Sequence, residues 1–556
     1  MMMLTGLLEE LQKSISRRNS SMEYKVCIMA AGKGNRAPYS DRIHNALLPV
    51  GYKASISKII EKFPEETEII IAVGHRSSQV RDFVQMAHKN RKITFVEIEK
   101  FDGSGSGPGY SLLQCKPYLQ CPFIFTSCDT IVLEHIPEPN KNWIGVAHVQ
   151  DSKDYCMAEV INENVKRFYD KVDTPSLFKI CLDYRTILNN GFIGMAGVYD
   201  YKSFWNGLEK TSSTLIKNEL QVSNGLNELI PRRLEAVPFT WFDTGEEASY
   251  EYAKRYFGDN KVLAKPDEFI YFEEDVVIKY FADPKIAENR AKRAVMLKEV
   301  IPELVDWKPN FYAYKYVDGI TLPQSSDKVK FRKMLEHFRS KLWKPATLDI
   351  IQQQDFRRAC IDVYEAKTKR RISEFFEREK IQDSREIING VEIPRIDELL
   401  GKLDWNYLSS GVPVLFHGDF QPENIIINEK GDGWTLLDWR HDFGKIIEYG
   451  DIYYDFIKMH HALLICGEII RDNQFKVEKN GNAINYDFLV KGNLLEFEKV
   501  FENFISENQY DLNKVRMLSA ITYLNIAACH HNPYSLLLFY LGKSQLYELL
   551  KTQGKI

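Results

Sequence analysis

A chain of 556 residues, 44% of them hydrophobic and 27% charged, is long enough for two or more globular domains, each with its own core. A net charge of −4 gives no electrostatic attraction to nucleic acid or to an anionic membrane, which leaves small molecules as the expected substrates. Nine scattered cysteines without paired spacing, and no apolar run near the roughly 18 residues that span a bilayer, predict reduced thiols, no transmembrane segment and a cytoplasmic location.

Residues 1–21 read as an N-terminal extension. Leu4, Leu7, Leu8 and Leu11 share one helical face ahead of a polar run at 16–21, and the ordered fold is expected from Met22. The opening Met1 has neither a basic flank nor a small-residue cleavage site, so no signal peptide is expected.

The first domain is expected over 22–258. An apolar strand at 24–29 breaks into Ala30-Ala31-Gly32-Lys33-Gly34-Asn35-Arg36, a loop whose backbone N–H groups can approach phosphates while Lys33 and Arg36 add charge. A plain tight turn would use the same glycines. Further strands at 68–74, 93–97 and 123–126 alternate with helical stretches, which predicts a doubly wound α/β sheet. The last of these strands delivers Asp129 at a carboxyl end, where ligands of open sheets collect, and Asp243 stands in Trp241-Phe242-Asp243-Thr244-Gly245. Two converging carboxylates could hold Mg²⁺ against a triphosphate; a helix cap and an Asx-turn are the plain alternatives.

With the loop at 30–36, Ala46-Leu47-Leu48-Pro49-Val50, the glycines of 105–109, the turn at Asp129, Tyr169-Asp170-Lys171, Asn190-Gly191-Phe192-Ile193-Gly194 and the segment at Asp243, residues 25–258 resemble a nucleotidyltransferase family. That family joins a nucleoside triphosphate to a sugar phosphate or phosphocholine and releases pyrophosphate. The resemblance implies a GT-A-like fold in which Ala30, Ala31, Gly32 and Gly34 cradle the triphosphate, with Lys33 and Arg36 as catalytic charges. It further implies that Gly107 and Gly109 face the base, Asp129 and Asp243 hold Mg²⁺, Lys171 meets the acceptor phosphate, and Gly194 leaves room for the acceptor. One departure stands out: His44-Asn45 occupies the place of the family's phosphate-contacting Lys, so Lys33, Arg42 or Lys53 must compensate or the transfer is weakened. The Arg36-Ala37-Pro38-Tyr39 segment also differs from the sugar-phosphate pattern and tilts the expected acceptor toward a phospho-alcohol.

The second domain is expected over 259–556, after a polar join at 264–268. A hairpin over 269–281 carries Lys279 mid-strand, a helix over 283–300 carries Glu288 and Glu299, and Tyr312 to Gly319, Tyr316 included, forms a connecting segment. Helical stretches follow at 328–343, 351–378 and 395–408. Then His417-Gly418-Asp419, Asn424 before Ile425–Ile427, and Asp438 after Thr435-Leu436-Leu437 each stand at the end of an apolar run. Phosphoryl transfer uses such parts: a carboxylate to orient and deprotonate a hydroxyl, and an Asn with an Asp to hold Mg²⁺ on nucleotide phosphates. Asp442-Phe443-Gly444 spells the protein-kinase metal motif, but Asp438 leaves directly from its strand and is the expected ligand.

This spacing, with the later Tyr449-Gly450-Asp451 to Asp455, resembles the aminoglycoside phosphotransferase and choline kinase family of bilobal, protein-kinase-like α+β fold. The resemblance implies that Asp419 is the catalytic base, that Asn424 and Asp438 bind Mg²⁺, and that His417 braces the loop. Lys279, fixed by Glu288 or less well by Glu299, would hold ATP, with adenine at the segment of Tyr316, and an Asp of 451–455 would anchor the catalytic loop. Aromatic-rich helices over 451–466 and 494–553 suit a quaternary ammonium or an ordinary core, while Arg440 and Asp442 suit a polyhydroxyl substrate as well as choline.

Together the halves predict a bifunctional enzyme. The second domain would phosphorylate a small alcohol (choline-like, polyol or sugar) with ATP, and the first would couple the product to a second nucleotide, CTP foremost, for surface polysaccharide or lipid synthesis. A kinase carrying a non-catalytic first domain and an antibiotic-inactivating phosphotransferase stay open, as does oligomeric state, a homodimer included.

Overall fold

The computed structural model describes residues 23–150, 152–173, 176, 189–258 and 267–556. The extension at 1–21 and most of the join at 264–268 lie outside the described residues. The chain divides into two compact units, Met1–Glu274 with Ile278–Ala282, and Asp275–Val277 with Asp283–Ile556.

The first unit is built on nine strands: β1 (Lys25–Ala30), β2 (Glu68–Val73), β3 (Ile93–Glu97), β4 (Phe123–Ser127), β5 (Asn142–Ala147), β6 (Cys156–Ile161), β7 (Asn164–Asp170), β8 (Gly191–Val198) and β9 (Leu234–Pro238). They form one sheet in the order β3-β2-β1-β4-β8-β5-β9-β7-β6. The first four are parallel, as fits their nearly continuous apolar runs and the helices Ser77–Ala87 and Pro108–Cys115 in their connections. The chain steps outward from β1 to β2 and β3, then returns to the other flank of β1 as β4. That reversal opens a crevice at the carboxyl ends of β1 and β4, where the glycine loop and Asp129 emerge. The doubly wound pattern stops there. β8 runs antiparallel to β4 and β5, and β7 antiparallel to β9 and β6, so the far half of the sheet is mixed. Val26, Ile28, Ile70, Phe123 and Phe125 are fully buried, and Phe123 stacks on Trp205 at 5.1 Å. A short antiparallel pair, Thr130–Val132 with Trp241–Asp243, sets Asp243 opposite Thr130.

In the second unit, Asp283 caps the helix Pro284–Leu297 through the Lys285 N–H, with proline at the first helical turn. Leu304–Lys308 pairs antiparallel with Phe311–Lys315. Ile320–Thr321, Ile425–Ile427 and Trp434–Leu436 form a small sheet, and Pro413–Val414 pairs with Gly450–Asp451. Helices supply most of the remainder. The single helix expected over 351–378 is interrupted: Ile350–Ile361 and Lys367–Glu379 flank a π-helical turn, Asp362–Ala366. Behind them pack Ile452–Leu464, Gly492–Glu507, Leu512–Ala527 and Tyr534–Thr552. Among the described residues no helix is long and apolar enough to cross a membrane, and the described cysteines are free thiols.

Candidate functional sites

In the first unit the β4 end and the Trp241–Asp243 strand bring two acids together. Asp129 accepts from Ser127 Oγ at 2.6 Å and from Asn45 Nδ2 at 3.4 Å, while Asp243 accepts from the Gly245 N–H at 2.7 Å and the Tyr155 hydroxyl at 3.1 Å. Gly245 is the hinge between them. A Cβ there would fall 2.7 Å from Asp129 Oδ2 and 3.0 Å from Asp243 Oδ1, so no larger residue fits without moving a carboxylate. Burial, and next the charge of Asp129, push the Asp243 carboxyl up to about 6. Among the described residues no Lys or Arg pairs with either acid. Two facing carboxylates without a cation are the donor set a divalent ion takes, so these residues fit Mg²⁺.

Asn45 stands at the centre of this crevice. Besides its contact with Asp129 it accepts weakly from Cys128 Sγ at 3.8 Å, and a Cβ at Gly34 would lie 2.9 Å from its Cγ. The basic residues expected to compensate for it are engaged elsewhere: Lys33 with Asp102, Arg42 with Asp41 and Asp267, and Lys53 with Glu61. Arg36 bonds Glu246, three residues after Asp243. Ala30 ends β1, and Ala31 carries the carbonyl that accepts from the His75 N–H at 2.9 Å; Gly32 has open space where a side chain would be.

Gly107 and Gly109 have a local steric reason. Gly107, at φ 114°, precedes the helix Pro108–Cys115, and a Cβ on either glycine would come within 2.9 Å of the backbone at Leu220. Lys171, itself left-handed at φ 50°, meets this corner through Glu219, its Nζ 3.0 Å from Oε2. Gly194, at φ 77°, lies against Ser127, and Thr130 donates to the neighbouring Ile193 carbonyl at 2.6 Å.

In the second unit Asp419 is held by three side chains: Lys458 Nζ at 2.9 Å and Gln421 Nε2 at 2.7 Å on Oδ1, and Asn424 Nδ2 at 3.0 Å on Oδ2. Burial works to raise its pKa, but Lys458 and these hydrogen bonds keep the carboxyl well below the usual range. Asp438 sits one residue past the bond from the Leu437 N–H to the Asn424 carbonyl at 2.8 Å, which ties the two expected metal residues into one register. With its Nδ2 committed to Asp419, Asn424 keeps its carbonyl oxygen for a cation, and with Asp438 it forms an oxygen donor set that fits Mg²⁺. Asp438 has a left-handed backbone, φ 60°, and takes Arg290 Nη1 at 3.2 Å on Oδ1. Asp442 lies in the loop beyond, 3.6 Å from His441.

The loop before Asp419 hangs on buried polar groups. Asp455 accepts from the N–H groups of His417 at 2.8 Å and Gly418 at 2.6 Å, and from Trp343 Nε1 at 3.0 Å. His417 is fully buried, its pKa pushed down to about 3 by burial, and its Nδ1 accepts from the Asp419 N–H at 3.3 Å. A neutral imidazole there braces the loop. Arg293, also buried, donates to the carbonyls of Phe416 and Arg440 and lies 3.9 Å over the Phe416 ring.

Lys279 is buried in the strand Val276–Phe281, whose residues from Ile278 on belong to the first unit. Both oxygens of Glu288 bond lysines of its own helix, Lys285 at 3.0 Å and Lys292 at 2.5 Å, and Glu299 bonds Lys341 and Lys344. Tyr316 is half exposed, its N–H on the Asp275 carbonyl. Lys458, Arg290, Tyr155 and Tyr454 carry no motif that marks them as functional in the sequence. Lys458 was within reach, since it follows Asp455 by three residues on one helix and so shares its face.

Residues 310–474 match the phosphotransferase enzyme family, so the second unit carries a phosphotransferase-family domain around Asp419, Asn424 and Asp438. Solved structures similar to the N-terminal part include a putative glucose-1-phosphate thymidylyltransferase from Bacillus anthracis, at 18% identity and a TM-score of 0.34, over 44% of this chain and 98% of that one. A UDP-glucose pyrophosphorylase (19% identity, TM-score 0.34, 42% and 99%) and the CTP:phosphocholine cytidylyltransferase from Streptococcus pneumoniae (15%, 0.33, 42% and 99%) are similar in the same way. No curated protein matches the sequence.

Proposed function

We propose that the chain is a bifunctional enzyme: its second unit phosphorylates a small alcohol with ATP, and its first couples the phosphorylated product to a nucleotide, CTP foremost. The observation that carries the kinase step is the Lys458–Asp419–Asn424 cluster inside the segment matching the phosphotransferase family. Asp419, ionised and half-buried, takes the hydroxyl proton as the alcohol oxygen attacks the γ-phosphorus and the bond to the bridging oxygen of ADP breaks. For the second step, support comes from the facing pair Asp129 and Asp243 at the carboxyl end of the parallel strands. There the product's phosphate oxygen attacks the α-phosphorus of the triphosphate and pyrophosphate leaves, with Lys33, Arg36 and Lys171 released from Asp102, Glu246 and Glu219 to meet the phosphates. Mg²⁺, held by Asn424 and Asp438 in one unit and by Asp129 and Asp243 in the other, would neutralise phosphate charge. The product would be an activated group for a surface polysaccharide or lipid.

The test is ADP formation by the full-length protein over choline, ethanolamine, glycerol, ribitol and free sugars, followed by pyrophosphate release from CTP, UTP and GTP. No ADP with any acceptor would refute the kinase step. ADP without pyrophosphate would favour the reading in which Asn45, standing where the resembled family has Lys, marks a first unit that only binds.

A further inference from the structure

Tyr454, buried one helical turn before Lys458, is ringed by positive charge. Its hydroxyl accepts from Arg440 Nη1 at 2.8 Å, and over its ring stand the Arg440 guanidinium at 5.6 Å and Lys458 Nζ at 5.9 Å. The π-helical turn packs on the same ring, Tyr364 at 6.5 Å, and delivers Lys367 as the next residue. Three cations, Arg440, Lys367 and Lys458, act together on this phenol and hold its pKa down to about 8 against the upward pull of burial. Lys458 is balanced by Asp419 at 2.9 Å. Arg440 and Lys367 make no ion pair among the described residues; Asp442, the further carboxylate acting on Arg440, is shared with His441.

Partly buried cations need a counterion, and here the protein supplies too few. We propose that the alcohol accepted by the kinase unit carries an anionic group, a carboxylate or a phosphate, seated between Lys367 and Arg440 beside Tyr454. This rests on the kinase reading above and narrows its substrate class. It also counts against a quaternary ammonium, because the faces of Tyr454 that would receive one already carry Arg440 and Lys458.

The experiment compares D-glycerate, glycerol 3-phosphate, glycerol and choline as acceptors for the full-length protein, with calorimetric binding of each in parallel, and repeats both with Lys367→Gln. We expect kcat/KM for an anionic acceptor to exceed that for glycerol at least tenfold, with choline inert, the better of the two anions naming the group. Lys367→Gln should raise the KM of that acceptor about tenfold and leave the KM of ATP where it was. Preference for glycerol or choline overturns the proposal. So does a shift in the KM of ATP alone, which would make the γ-phosphate the counterion. Should no acceptor be phosphorylated, the kinase reading fails, and calorimetry still decides: anion binding lost in Lys367→Gln supports the site, and binding of neither anion removes it.

Discussion

Lys458 Nζ stands 2.9 Å from Asp419 Oδ1, and the same helix, one turn earlier, holds the loop that carries Asp419. Ile452–Leu464 thus fixes the reactive carboxylate twice, once through its charge and once through the backbone grip of Asp455 on His417 and Gly418. Position and ionisation of Asp419 come from one rigid element.

Asp419→Asn should lower kcat for ADP formation by about 10²- to 10⁴-fold, the usual worth of a positioned proton acceptor. Pyrophosphate release from a supplied phospho-acceptor should persist. Asp129→Asn should do the reverse. Loss of both activities from either variant, with the fold intact by circular dichroism, would sink the two-site division.

Asp455→Ala leaves the buried N–H groups of His417 and Gly418 without an acceptor, at a cost of about 3 kcal/mol in stability. Asp455→Asn, which keeps one acceptor, should lose roughly half as much. Denaturant unfolding measures both, and equal losses would contradict the backbone grip.

Glu273 is buried, and burial pushes its carboxyl up to about 7 against the opposing Ser57 and Lys53. The folded chain therefore holds a proton there that the unfolded chain releases near pH ~4.3. That contribution to stability is fully present below the unfolded pKa and is lost as pH rises through 7, about 4 kcal/mol in all. Glu273→Gln removes the titration, so its stability relative to wild type should climb between pH 5 and pH 8. Parallel curves for the two proteins would rule this out.

Asn45→Lys would place an ammonium beside Asp129 in the crevice where an amide now sits at 3.4 Å. We expect kcat/KM for nucleotidyl transfer to rise about tenfold, which corresponds to ~1.4 kcal/mol. A fall would show that Lys overfills the space against Gly34.

Much of this architecture was legible because polar residues sit at the ends of apolar runs. Lys25–Ala30, Glu68–Val73, Ile93–Glu97 and Phe123–Ser127 are the four strands that the alternation of apolar and helical stretches suggested. Ile425–Ile427 and Trp434–Leu436 likewise lead to Asp438 from the expected places. What stayed hidden depends on tertiary contact. Nothing local distinguishes Tyr155 as the partner of Asp243 from 88 residues away, or Arg290 as the partner of Asp438 from 148. The strand Glu268–Glu273 was legible as half of a hairpin, but its packing was not: Tyr271 lies 4.8 Å from Phe83 and bonds the Leu47 carbonyl, which groups it with the first unit and not with the second domain expected from 259. The π turn at 362–366 left no trace in the helical pattern, because one extra residue shifts the periodicity only slightly.

The left-handed backbone of Asp438 is offset by the buried guanidinium of Arg290 that its carboxylate holds. A side chain at φ 60° costs up to about 1 kcal/mol that glycine would avoid. Asp438→Gly would recover that cost but leave buried Arg290 without its carboxylate, so its melting temperature should fall while ADP formation disappears.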